Sequence, residues 1–261
     1  MVMPTGLDSI VDLDLYPLDR RDLWALDELF DRAHVEFSAS GVVVLREFLR
    51  PEAIAEIAAA ALANGRLDSF RFTDIDAGEA LPDVGSGGSR VGAGQGSPSS
   101  ERVLAYDRIP GGSPVKRLFQ WEPLLDFVSR VVGEPVYRSA DDLGALTVRI
   151  HEPGDGEDWG FGFSDYTLTL HIAAPEQGGI FEYVPLSGAF AGLGGGMPGG
   201  RVDMLPTVPG TLVLHAGRRS THRVTQVRGK LPRVTADMAF NSKPGQRLND
   251  LQRRKWFGRG E

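Results

Sequence analysis

The second half of this chain is built from short strands, and that limits its folds more than any other feature. Residues 136–138, 145–151, 166–172, 180–184, 211–215, 223–227 and 233–240 are brief β-branched or aromatic runs. Many of them alternate, and Gly or Pro turns separate them. Strands of this length and spacing lead to a sandwich or a barrel. Helical periodicity is confined to the first half. Leu23, Leu26, Leu29 and Phe30 share one face within 17–37. Pro51 opens an alanine-rich helix with a stripe of Ile54, Ile57, Ala58 and Ala61, and Gly65 is placed to stop it in a left-handed conformation. A third helical region over 113–132 carries Leu118, Leu124, Leu125, Phe127, Val128 and Val131 and stops at Gly133. Helices first and strands later, without βαβ alternation, argue against a Rossmann-type sheet. The expectation is a mainly β chain with flanking helices, of the α+β class. Its 1–261 form one domain, with a helical and lid region over 1–133, a core over 134–245 and a tail over 246–261.

A formal net charge of −7 argues against a general nucleic-acid binder, which would carry a basic face. It leaves room for a local cationic pocket. The absence of cysteine excludes disulfides, thiolate metal ligands and a Cys nucleophile. No apolar run reaches the roughly 18 residues of a membrane span, and the first residues lack a basic-then-apolar signal pattern. A cytoplasmic protein with a small-molecule substrate, and with neither a nucleic-acid nor a membrane partner, is expected. The Gly-, Ser- and Pro-rich stretch 76–100 reads as a long loop or lid. The run 192–200 lacks the Lys-Ser/Thr of a phosphate loop and reads as a flexible insertion.

Several local pieces stand in a telling order. Leu143-Gly144-Ala145-Leu146 precedes Glu152-Pro153-Gly154-Asp155, then Trp159 with Ser164-Asp165-Tyr166, then Gly178-Gly179-Ile180-Phe181-Glu182-Tyr183-Val184-Pro185. Pro209-Gly210-Thr211-Leu212-Val213-Leu214 and Thr221-His222-Arg223-Val224-Thr225 complete the series. The block from Asp142 to Gly245 resembles the iron(II)/2-oxoglutarate-dependent oxygenases, and most closely their small bacterial hydroxylase and amino-acid halogenase branch. The resemblance implies a double-stranded β-helix, or jelly roll. It also implies a His-x-Asp pair and a distal His holding iron in a site with open positions for 2-oxoglutarate and oxygen.

Carried over residue by residue, His222 matches the distal ligand. Arg233 matches the arginine that grips the far carboxylate of 2-oxoglutarate, a task suited to a planar guanidinium fork. Thr235 shares its strand face and adds a hydroxyl. The His-x-Asp pair, however, is Gly160-x-Gly162. Glycine at the second position alone is the halogenase pattern, in which chloride takes the vacated place. Glycine at the first as well leaves one imidazole, too few to hold iron(II). Lost chemistry on a kept fold, glycines introduced by engineering, and a metal site rebuilt from other residues remain open. For a rebuilt site, strand parity sends His151 and His171 inward with His222, a three-imidazole set for iron or another divalent metal. His151 also stands where relatives contact the co-substrate. His215 reads as packing. Asp155, Glu157 and Asp158 read as a solvated acidic loop, one of which would replace the missing carboxylate if the loop turned inward. The functional expectation is an oxidoreductase that tailors a small amino-acid-like substrate through a non-standard metal site. The alternative is a catalytically silent relative that binds a small acid or a partner protein.

Overall fold

The computed structural model describes residues 6–20, 24–73, 99–185 and 201–260. Leu23, nearly all of the 76–100 stretch and the 192–200 run lie outside them. Five α-helices and twelve strands are described. The helices are α1 (Trp24–Ser40), α2 (Pro51–Asp68), α3 (Pro114–Gln120), α4 (Glu122–Val132) and α5 (Asp250–Phe257). The first strands are β1 (Val42–Leu45), β2 (Phe70–Thr73), β3 (Ser100–Leu104) and β4 (Tyr137–Arg138). The rest are β5 (Leu146–His151), β6 (Glu157–Gly160), β7 (Tyr166–Ala173), β8 (Phe181–Val184), β9 (Asp203–Leu205), β10 (Leu212–His215), β11 (Thr221–Val224) and β12 (Arg233–Asn241). No helix among the described residues is long and apolar enough to cross a membrane.

The strands make two antiparallel sheets. The larger runs β1-β10-β7-β12-β5-β3-β2, with β4 on β12, and the smaller runs β6-β11-β8-β9. Strands 5, 12, 7 and 10 opposite 6, 11, 8 and 9 are the two halves of a double-stranded β-helix. The first half of the chain extends the large sheet at both ends. β1 pairs with β10 (Val43 opposite Leu214), and β3 pairs with β5 (Val103 opposite Arg149).

Period-two alternation decides which face each residue serves. On β5, Leu146, Val148 and Ile150 are buried against the helices, as are Leu168, Leu170 and Ile172 of β7 and Val234, Ala236, Met238 and Phe240 of β12. That face and the apolar stripes of α1 to α4 form the main core. The opposite face carries Thr147, Arg149 and His151; Thr169 and His171; and Arg233, Thr235 and Asp237. The polar side of the large sheet therefore looks toward the small sheet.

Local details correct the sequence reading. Gly65 does not stop α2; it lies inside the helix, where a Cβ would meet Ile150 Cδ1 at 2.3 Å, so it lets α2 approach β5 closely. The 113–132 region is two helices, broken at Trp121 ahead of Pro123, and it ends at Gly133 with φ +85°, the left-handed stop expected. β11 starts at Thr221 rather than 223, which puts His222 within a paired strand. The tail ends in α5, capped by Asn249 and Gln252 in a reciprocal box.

Candidate functional site

A cavity of about 240 Å³ lies between the polar face of the large sheet and the small sheet, lined among others by Gly160, Gly162, Glu157, His222, Arg233 and Asp237. Three adjacent strands set the row beneath it. Arg233 of β12 is the register partner of His151 of β5, and Glu101 of β3 follows one position past the Arg102–Ile150 pair.

Arg149 is the hub of a buried charge cluster. Its Nε donates to Glu101 Oε2 at 2.7 Å and its Nη2 to Glu101 Oε1, a bidentate fork; it also contacts Glu157 and reaches Asp237 at 3.3 Å. His151 Nε2 lies 3.4 Å from Glu157 Oε1 and 3.7 Å from Glu101 Oε2. Neither ring nitrogen of His151 makes a hydrogen bond, although the side chain is fully buried. Burial pushes the Glu101 carboxyl up, outweighing Arg149. Burial acts the same way on Glu157, but there Arg149 and His151 prevail and hold the carboxyl well below the usual range. The two carboxyls thus differ in proton affinity while sharing one arginine. The acidic loop is not solvated. Asp155 is buried under Arg71, at 2.5 and 2.6 Å, and Ser100, while Glu157 is turned inward from β6.

The vacated ligand positions are unequal. Gly160 is the register partner of His222 across β6 and β11, so the two share a face, and a Cβ at Gly160 would meet nothing nearer than Asp158 O at 4.0 Å. Gly162 instead packs on another backbone. Its N–H donates to Gly217 O at 2.8 Å, and a Cβ there would sit 3.1–3.3 Å from Gly217 Cα, C and O. His222 holds Ser220 O through Nδ1 at 3.1 Å and stacks on Phe181 at 5.2 Å, with His215 edge-on at 5.3 Å. Burial lowers the pKa of both histidines, that of His215 well below the ordinary value. His215, expected to serve packing, lies against Phe181 and His222 and also lines the cavity.

A facial-triad iron does not fit these residues. The only group of three or more carboxylate or imidazole side chains among the described residues with ligand atoms within 4.8 Å of one another is Glu101, His151 and Glu157. His171 and His222 do not join it, so the three-imidazole set of His151, His171 and His222 is not assembled. His171 is turned to the backbone: Val208 N–H donates to its Nδ1 at 3.3 Å. Burial, then the charge of Arg233, pushes His171 down to about 3. Its imidazole is neutral.

Arg233 is 3% exposed and lines the cavity. Its Nε donates to Thr207 Oγ1 at 3.0 Å, and among the described residues no carboxylate lies within ion-pair distance of it. Burial lowers its pKa, the mark of a cation whose surroundings under-compensate it. Thr235, next along the same face, is buried with its hydroxyl unpartnered. His151, His171 and Thr235 lie on the inner face, as parity requires, but behind the cavity wall rather than on it.

Sequence reasoning missed Glu101, the hub role of Arg149, and the cover provided by α5. Trp256 of α5 closes one side of the cavity, stacked on Phe72 at 4.3 Å and edge-on to Phe163 at 5.2 Å. The Asn249-x-x-Gln252 spacing was a readable helix start there. Nothing near Glu101 in sequence announces its partners.

The family model of Halogenase D (HalD) matches residues 90–253. No curated protein sequence matches the chain. Among solved structures, the chain is similar to an oxidoreductase of the 2OG-Fe(II) oxygenase family from Burkholderia pseudomallei, with 13% identity, 83% of this chain and 92% of that chain covered, and a TM-score of 0.58. It is also similar to the epimerase SnoN in complex with Fe3+, alpha ketoglutarate and nogalamycin RO, with 14% identity, 82% and 84% covered, and a TM-score of 0.57. AviO1 from Streptomyces viridochromogenes Tue57 shares 19% identity over 83% and 96% of the two chains, with a TM-score of 0.54. At these identities the likeness shows the fold.

Proposed function

The chain belongs to the Halogenase D family, and on that footing we propose that it binds a small organic acid, 2-oxoglutarate or a near analogue, through Arg233. One observation carries this: a buried guanidinium lines the cavity with no carboxylate among the described residues at ion-pair distance. A buried cation in that state is favourable only when an anion arrives to pair with it. Arg149 does not compete, because Glu101, Glu157 and Asp237 already engage its fork. Thr207 fixes the guanidinium from behind. Thr235, along the same face of β12, keeps an unpartnered hydroxyl behind the cavity wall and reaches such a ligand only if that wall gives way. His171, kept neutral, adds no charge of its own beside Arg233.

Iron chemistry of the family type is not part of this reading, since Gly160 and Gly162 supply no ligand atoms. A second reading, an oxidoreductase tailoring a small amino-acid-like substrate through a different metal, is favoured by the grouping of Glu101, His151 and Glu157. Calorimetry with 2-oxoglutarate tests the first reading. Binding to the chain, weakened by about 2–5 kcal/mol in Arg233→Leu, is expected for a buried charge pair that loses one partner. No binding to the unsubstituted chain, or equal binding to the variant, overturns it. Oxygen-dependent succinate formation that requires an added divalent metal would support the second reading.

A further inference from the structure

We propose that Glu101, His151 and Glu157 form a divalent-cation site of this chain's own, one that uses neither His222 nor the Gly160 and Gly162 positions. The distances suit a single ion. Donors around an ion with bonds of about 2.0–2.2 Å lie roughly 3–3.5 Å apart along a coordination edge. His151 Nε2 stands 3.4 Å from Glu157 Oε1 and 3.7 Å from Glu101 Oε2. All three side chains offer a ligand atom within one 4.8 Å set.

An independent observation points the same way. His151 is fully buried, yet neither of its ring nitrogens has a hydrogen-bond partner. A buried imidazole without an aligned hydrogen bond gives up hydration that longer contacts to carboxylates only partly replace. Nε2 is aimed between two carboxylates without hydrogen-bond alignment to either, which is how a ligand, rather than a donor, is placed.

Charge supplies the third argument. Arg149 touches three carboxyl side chains, those of Glu101, Glu157 and Asp237, so one guanidinium serves three acidic groups. Arg233 is the next cation, and it stands outside ion-pair distance of them. A dication offsets the excess. Arg149 need not leave, because each carboxylate has about four acceptor positions and the fork uses only some of them. Two oxygens and one imidazole nitrogen form a mixed set suited to Mn2+, Fe2+ or Zn2+ rather than to a thiophilic ion. The donors stand on β3, β5 and β6, which are paired strands rather than loops.

The inference is independent of acid binding at Arg233. Chelator-treated protein titrated with Mn2+ and with Zn2+ in a calorimeter should take up one equivalent of ion. His151→Asn and Glu157→Gln should each weaken that binding at least about tenfold, the lower end of what even an outer partner of a metal site costs. His222→Ala should leave it unchanged. If either variant fails to melt cooperatively, the isosteric Glu101→Gln serves in its place. No uptake by the unsubstituted chain overturns the proposal, as does uptake that survives all three ligand variants or is lost in His222→Ala. Titration of the same chelator-treated protein with 2-oxoglutarate reads the Arg233 proposal separately, so either can fail alone.

Discussion

Gly160 and Gly162 differ in what surrounds them, and the difference sets distinct expectations for each. Open space opposite His222 should let Gly160→His fold with a change in denaturant midpoint within the ±0.5 kcal/mol or so of ordinary surface substitutions. Its imidazole would stand beside His222 as a cross-strand pair, and iron(II) affinity measured by equilibrium dialysis should rise above that of the unsubstituted chain. Gly162→Asp should instead cost about 1–3 kcal/mol, because its Cβ presses on the Gly217 backbone, which cannot rotate away as a side chain would. Equal urea midpoints for the two variants would contradict this geometry. The residues that announce themselves locally were readable from sequence. His222 and Arg233 came from motif order, and the inward aim of His151 came from strand parity. Glu101 was not readable, because its meaning lies in Arg149, 48 residues away. Glu157 read as part of a solvated loop because sequence shows charge density and not the arginine that turns a carboxylate inward.

The helix with the weakest sequence signal, α5, has a definite structural task. It is polar on average, so hydrophobic periodicity could not find it, and tertiary contacts moor it instead. Buried Arg253 pairs with Asp141 at 3.1 Å and with Asp142, while Asp141 also accepts from the N–H groups of Leu143, Gly144 and Leu248. Phe257 inserts beside Val103, Ala105 and Leu143. Breaking such a buried pair from one side costs about 3–5 kcal/mol. Arg253→Ala should therefore lower stability by that order, and amide exchange over 250–257 should rise ahead of the sheets. If exchange in α5 is unchanged, the pair does not hold the helix. The α1 and α4 stripes were legible because their apolar spacing is local. The division between α3 and α4 was hidden, although Pro123 marked it, because the apolar pattern runs on across the break.

At the scale of the molecule, three buried imidazoles make stability depend on acid. His171 is held down to about 3, and His215 and His222 are lowered by burial as well. Unfolded histidine takes a proton near pH 6.5, whereas the folded His171 does not until about 3. The unfolded state therefore binds more protons across that window. Stability is complete above about pH 6.5 and declines below it, by about 1.4 kcal/mol per pH unit for each histidine fully so held. Urea midpoints at pH 7.5 and pH 5 should differ accordingly, and His171→Gln should flatten the dependence; identical midpoints would mean these rings are not buried neutral. The jelly roll itself was legible because short strands and motif order are additive signals. The pairing of β2 with β3 was not, since it joins segments across the Gly-rich stretch. The order of strands carries a further consequence. β12 lies at the centre of the large sheet, between β5 and β7, and β1 waits for β10. A ribosome makes the chain from the other direction, at about 5–20 residues per second. By the time Arg233 to Asn241 emerge, every strand they join has been made, and each has stood with an open edge. The sheet can close only once β12 has emerged, so during translation the early helices and strand edges depend on not meeting those of a neighbouring nascent chain.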